Sequence, residues 1–235
     1  MNTQRYTFTE RKIYDALPDG KVRVYYDEVE STETVTTIDR ETEEETTVTY
    51  PIYTYRAVDA DSLTRSSIIV ALIRADYSAD DELAIQRQKD DKPSEYNHYN
   101  AFVEKCKAIA DRTINGDTLA TAKAMKIADL GIYDASEAVN AFYIGNQAMW
   151  LSPDRRSNLK NAVEALKASG VSTVAFMGQT IPVDDALAML SAIESYAAMT
   201  TFVTDTHRAA IEALSTSAAV QEYDFTTGYP EKLNF

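Results

Sequence analysis

The chain has 235 residues, 45 % of them apolar, which is enough to fill one large core or two small ones without covalent staples. Its single cysteine, Cys106, excludes an internal disulfide framework, and two histidines are too few for a Cys/His zinc site. A net charge of −14 would repel phosphate backbones, so composition argues against a nucleic-acid partner and for a protein one.

No run of 18 apolar residues occurs, and Met1-Asn2-Thr3-Gln4-Arg5-Tyr6 lacks the apolar stretch of a signal peptide. A soluble protein with no membrane partner is expected. Tyr6 to Tyr14 reads as a strand, with Pro18-Asp19-Gly20 as the turn after it. Val22, Val24 and Tyr26, then Val48, Tyr50 and Ile52, alternate with side chains of the other class, the mark of half-buried strands. They predict a long hairpin over 21–37 and 45–57, tipped by Asp39-Arg40-Glu41-Thr42-Glu43-Glu44-Glu45. Between Asp27 and Glu45 stand nine acidic residues and one basic one, so this window carries −8 of the −14.

From Asp61 the pattern turns helical. Leu63, Ile69, Leu72 and Ile73 fall near one face, and Ser78 with Asp81 forms a capping box for a short helix through Lys89. Asp90-Asp91-Lys92-Pro93 breaks it. A helix over 94–114 follows, its apolar face built from Tyr96, Tyr99, Val103, Cys106, Ile109 and Ala110. Asn115-Gly116-Asp117 is the predicted domain boundary. Beyond it come a helix over 118–130 and then one plan used twice. Residues 142–151 and 174–181 each form two short strands around a glycine and lead into helices over 152–169 and 184–214, with Gly145 and Gly178 33 residues apart. Leu187, Leu190, Ile193, Val203, Ala210, Ile211 and Leu214 give the last helix its expected buried stripe. The aromatic tail, Tyr223-Asp224-Phe225-Thr226-Thr227-Gly228-Tyr229-Pro230, is expected to pack back on the domain or on a neighbour.

The fold class expected is α+β. Residues 1–60 form a β-hairpin region with an acidic tip, 61–115 a helical segment, and 116–235 a domain of two short hairpins each followed by a helix.

The residues that could carry chemistry read as structural. Gly145-Asn146 and Gly178-Gln179 suit two-residue hairpin turns, and neither segment has the further glycines of a phosphate-cradling loop. Cys106 lies on an apolar stripe, and His98, eight residues upstream, is about 12 Å away along the same helix. His207 falls on or beside a buried face, and no Gly-x-Ser-x-Gly elbow accompanies Ser215 and Asp205 as parts of a triad. The acidic tip lacks the glycine of a calcium loop. No catalytic residue, metal or cofactor is therefore expected. A charged tip of Glu41, Glu43, Glu44 and Glu45 would keep hairpin edges from associating or dock on a basic partner. Trp150 and the 15 tyrosines suit cores and interfaces alike.

The second half resembles a domain of many tailed-phage and prophage proteins, found in or beside tail-fibre and fibre-assembly genes. The likeness is carried by the hairpin-helix pair over 142–166 and 174–193, by Thr206-His207-Arg208-Ala209-Ala210-Ile211, and above all by residues 223–230. In that family the last element often ends Gly-Trp-Pro; Tyr229 stands here in place of the Trp. Gly20-Lys21-Val22-Arg23-Val24-Tyr25-Tyr26-Asp27-Glu28, and Ser67-Ile68-Ile69-Val70-Ala71-Leu72-Ile73-Arg74-Ala75 with Asp80-Asp81-Glu82-Leu83-Ala84-Ile85, are similar to proteins from phages and prophages of gut Bacteroides-type bacteria. The resemblance implies a non-enzymatic virion structural protein of tail, neck or fibre, made in the host bacterial cytoplasm. It would be a homo-oligomer held among other phage structural proteins, with Glu41, Glu43, Glu44, Glu45, Trp150, Phe225 and Tyr229 as partner-binding candidates. A tail-fibre assembly chaperone and a tail-associated hydrolase are the alternatives. The family offers no established catalytic residues to carry over.

Overall fold

In the computed structural model, residues 5–38 and 45–235 are described. The architecture is α+β, and the chain divides into two compact units, residues 1–84 with 103–125 and residues 85–102 with 126–235.

The first unit is built on the long hairpin. β1 (Arg5–Phe8), β2 (Tyr14–Ala16), β3 (Val22–Ile38) and β4 (Glu45–Ala60) form one antiparallel sheet in the order β1-β4-β3-β2. Pairing of β3 with β4 runs from Val22 opposite Ala60 to Ile38 opposite Glu45. The single strand expected over Tyr6 to Tyr14 is instead two strands on opposite edges of the sheet. The chain must cross the sheet between them, and the crossing is held where the Lys12 N–H donates to the Tyr55 hydroxyl and the Tyr25 N–H to the Ile13 carbonyl.

Side chains alternate along β3, so Val24 and Tyr26 lie on one face and Tyr25 on the other. Tyr25 joins Tyr6, Phe8 and Tyr55 in an aromatic cluster with ring centroids 5.1–6.1 Å apart. α1 (Arg65–Asp76) is N-capped by Thr64 and buries Ile68 and Leu72, four residues apart. The expected stripe is thus shifted: Leu63 precedes the helix and is exposed, and Ile69 and Ile73 flank the buried pair. In α2 (Ala79–Arg87) the capping box is complete, the Asp81 N–H donating to Ser78 Oγ and the Ser78 N–H to Asp81 Oδ2. α3 (Pro93–Asn115) buries Tyr99, Cys106, Ile109, Ala110 and Thr113. It stops at Gly116, whose φ of 75° few other residues adopt. α4 (Leu119–Asp134) follows.

The second unit takes in the end of α2, the first part of α3 and residues 126–134 of α4, then α5 (Glu137–Asn140), β5 (Phe142–Ile144), β6 (Gln147–Met149) and α6 (Pro153–Ala168), then β7 (Thr173–Phe176), β8 (Gln179–Pro182) and α7 (Val183–Ala213), and last α8 (Ser217–Glu222). Each hairpin feeds a helix, and one core joins them: Phe142, Leu151, Val163, Phe176, Val183, Ala186, Leu190 and Ile193. Each large apolar side chain buried there contributes about 1.5–3 kcal/mol.

The two turns are not equivalent. Ile144 pairs with Gln147 around Gly145-Asn146, and only Gly145 has positive φ, as in a type II′ turn. Phe176 pairs with Gln179, so the second turn is Met177-Gly178 and not Gly178-Gln179. Both of its residues have positive φ, 49° and 83°, as in a type I′ turn.

With 31 residues, α7 is long and apolar enough to cross a bilayer by length and composition. Its buried residues, Val183, Ala186, Leu190, Ile193, Tyr196, Thr200, Thr204, His207 and Ile211, recur every three or four positions. The expected stripe passed over Tyr196, Thr200 and Thr204 because their hydroxyls count as polar. Each of those hydroxyls has a hydrogen-bond partner: the Val139 carbonyl, the Ala197 carbonyl and the Asp134 carboxylate respectively.

Candidate interaction surfaces

The most unusual surface is the outer part of the β3–β4 hairpin. From Val29 opposite Thr54 to Ile38 opposite Glu45 the strands pair without interruption, roughly 30 Å of ribbon at 3.4 Å per residue. Every residue of β3 from Val29 to Ile38 is exposed, as are those of β4 from Glu45 to Thr49. Alternation sorts the side chains onto two faces. One carries the hydroxyl pairs Thr34–Thr49 at 3.0 Å and Thr36–Thr47 at 3.1 Å. The other carries Val29, Val35 and Val48, which are 57 %, 38 % and 54 % exposed, with Tyr50 and Ile52 beside them. An isolated two-stranded ribbon is marginal in water, so this arm is long for one that nothing covers.

Its root, by contrast, is pinned. Asp27 and Glu28 together oppose Tyr55 in a β-bulge, and Asp27 has a φ of 51°. The Asp27 carboxylate meets Lys105 at 2.9 Å and Arg56 at 3.3 Å, and Arg56 also reaches Asp76 at 2.6 Å. Glu28 accepts from the Tyr55 hydroxyl at 3.0 Å and pairs with Arg11 at 3.1 Å. Charged partners thus hold the bulge from both sheet and helix.

Of the residues singled out in the sequence, Glu41, Glu43 and Glu44 lie outside the described residues. Glu45 is exposed at the start of β4, opposite Ile38. Trp150 is half-buried beside Asn140, Phe142, Arg156 and Tyr196, around a cavity of about 10 Å³, space for one water at most. Arg156 is held there by Glu194 and the Leu151 carbonyl. A wider depression of about 470 Å³ is lined by Asp90, Asp154, Arg155, Asn158 and Leu159.

Phe225 and Tyr229 turn inward. Their rings lie 5.8 Å and 5.5 Å from that of Tyr133, and the Tyr229 hydroxyl bonds Thr204. The tail then runs beside β5, with the Tyr143 N–H donating to the Leu233 carbonyl and the Phe235 N–H to the Tyr143 carbonyl. Aromatic tail residues therefore close this unit upon itself.

His207 is 8 % exposed and fixed at both ring nitrogens. Nε2 lies 2.9 Å from the Thr227 carbonyl, which can only accept, so Nε2 carries the proton. Nδ1, 2.8 Å from the Tyr223 hydroxyl, then accepts from it in the neutral ring. Burial pushes the Cys106 thiol up to about 12, far from the range of a nucleophile at neutral pH. Among the described residues no three His, Cys, Asp or Glu side chains gather as a metal-ligand set.

The threonine ladder and the valines of the opposite face make the exposed surface of the described part of the arm. Their signal was legible as period-two alternation extending past Tyr26 and back from Tyr50, with threonine at matched positions on both strands. No family model, curated protein or solved structure matches the chain.

Proposed function

We propose that this protein is a non-enzymatic structural component of a bacteriophage particle, an adaptor of tail, neck or fibre that works through protein–protein contacts. The observation that carries this reading is the β3–β4 arm, ten residue pairs long, exposed along all of its β3 side and from Glu45 to Thr49 on β4, and anchored by ion pairs at its root. A ribbon of that length gains stability when a neighbour buries its valine face, as it would inside an assembly. The resemblance of residues 138–230 to tailed-phage proteins agrees with this role. Copies of the chain would sit in a ring, where unlike patches meet head to tail.

The test is mass spectrometry of purified particles. The chain should be found at a fixed copy number with the tail, neck or fibre proteins. Its absence from finished particles, with abundance in the infected cell, would overturn the structural role and favour a fibre-assembly chaperone. Release of sugars or peptides from host cell wall by the purified protein would contradict the non-enzymatic reading.

A further inference from the structure

We infer that the outer edge of β3 is a strand-addition site that takes an extended, basic segment of a partner protein as a third strand of the arm. This rests on the reading of the chain as a component that works through protein contacts. The two edges of the ribbon differ. β4 carries Pro51 opposite Thr32, and proline has no N–H to give a ladder. Pro51 is therefore accommodated where its nitrogen faces away from β3, so the outer edge of β4 is blunted at its centre. β1 further covers β4 from Tyr53 to Arg56.

Among the described residues the β3 edge has no such protection. β2 pairs only with Val22–Val24, and beyond the bulge Val29–Ile38 holds neither proline nor glycine. Because the Thr32–Pro51 pair cannot exchange ladder hydrogen bonds, the same holds for the alternate pairs Thr34–Thr49 and Thr36–Thr47. The backbone N–H and C=O groups of Glu30, Thr32, Thr34, Thr36 and Ile38 consequently point outward along β3. Among the described residues no strand pairs with them, and they form a row of the kind that an extended peptide completes.

Charge selects the occupant. Glu30, Glu33 and Glu45 are the charged side chains of 29–38 and 45–54, with no Lys or Arg in either stretch. A second copy would bring the same carboxylates alongside within a chain of net charge −14. Glu30 is already paired with Arg11 at 2.9 Å, so a strand that sets Lys or Arg beside Glu33, with apolar residues beside Val29 and Val35, meets opposite charge and extends the valine face.

The test uses the full chain, isotopically labelled, and a ten-residue peptide with Lys at the position beside Glu33, Val at those beside Val29 and Val35 and Thr elsewhere; a Glu-for-Lys peptide is the control. The lysine peptide should slow amide exchange at Glu30, Thr32, Thr34, Thr36 and Ile38, leaving the outward amides of β4 unchanged. Thr34→Pro and Thr49→Pro alter the two members of one cross-strand pair at N–H groups that the ladder does not use. Thr34→Pro should weaken binding by about tenfold or more, while Thr49→Pro retains it. Equal effects of the two substitutions, protection on β4, or equal binding of the glutamate peptide would overturn the inference. So would concentration-dependent protection of β3 with no peptide present, which would make a second copy the occupant. Amide protection of the inner ladder at Glu33 and Val35 reports whether each variant keeps its ribbon. A chain present in particles that ignores the lysine peptide would leave the structural role standing and remove the strand-addition site; the reverse result would do the opposite.

Discussion

Tyr26 shows how tightly the first unit is packed. It is 4 % exposed, its ring lies 5.0 Å from the Arg56 guanidinium, and among the described residues its hydroxyl has no hydrogen-bond partner. A buried hydroxyl left unpaired costs about 1–3 kcal/mol, so Tyr26→Phe should hold or raise the urea midpoint, whereas most core substitutions lower it. Burial, above all, lifts both Tyr26 and Tyr55 to about 12 from 10.0, and Cys106 to about 12 from 9.0. Each raised value means that the folded state holds the proton more tightly than the unfolded chain. The stability it confers is complete below the unfolded value and fades as pH rises toward 12. Circular dichroism should therefore show unfolding on an alkaline limb above about pH 9, shallower in Tyr26→Phe. A native-state alkylation of Cys106 as fast as that of the unfolded chain would contradict its burial at 1 % exposure.

Among the elements, the hairpins test how far turn chemistry sets the fold. Gly178 has a φ of 83° with no neighbour to clash, so Gly178→Ala isolates backbone strain and should cost about 1–2 kcal/mol, read as a lowered denaturation midpoint. Hairpins, helix order and the capping box at Ser78 were legible because each rests on local rules of period, cap and turn. The register of the second turn was not. Gly-Gln and Met-Gly are both possible loops, and pairing of Phe176 with Gln179 puts Met177 at positive φ while packing it on the core. Nor was the polar half of the α7 stripe legible, since Thr204 and His207 are buried by partners far along the chain, Asp134 and Thr227. Tyr6 and Tyr14 looked like one strand because periodicity does not reveal which edge of a sheet a segment joins.

For the whole molecule, the arm is the part that its own fold leaves unused. Among the described residues Val29, Val35, Ile38 and Val48 are exposed and join no core. Replacing residues 31–52 with an Asn-Gly turn should leave the amide protection of the bulge and of Val22–Tyr26 intact, because Lys105, Arg56 and Arg11 hold the root independently of the ribbon. The most direct measurement is the copy number of the intact and arm-shortened chains in purified phage particles, determined by quantitative mass spectrometry. The intact chain should be present at fixed stoichiometry and the shortened one lost. Particles that lack the intact chain, or that take up both equally, would contradict the structural role of the arm.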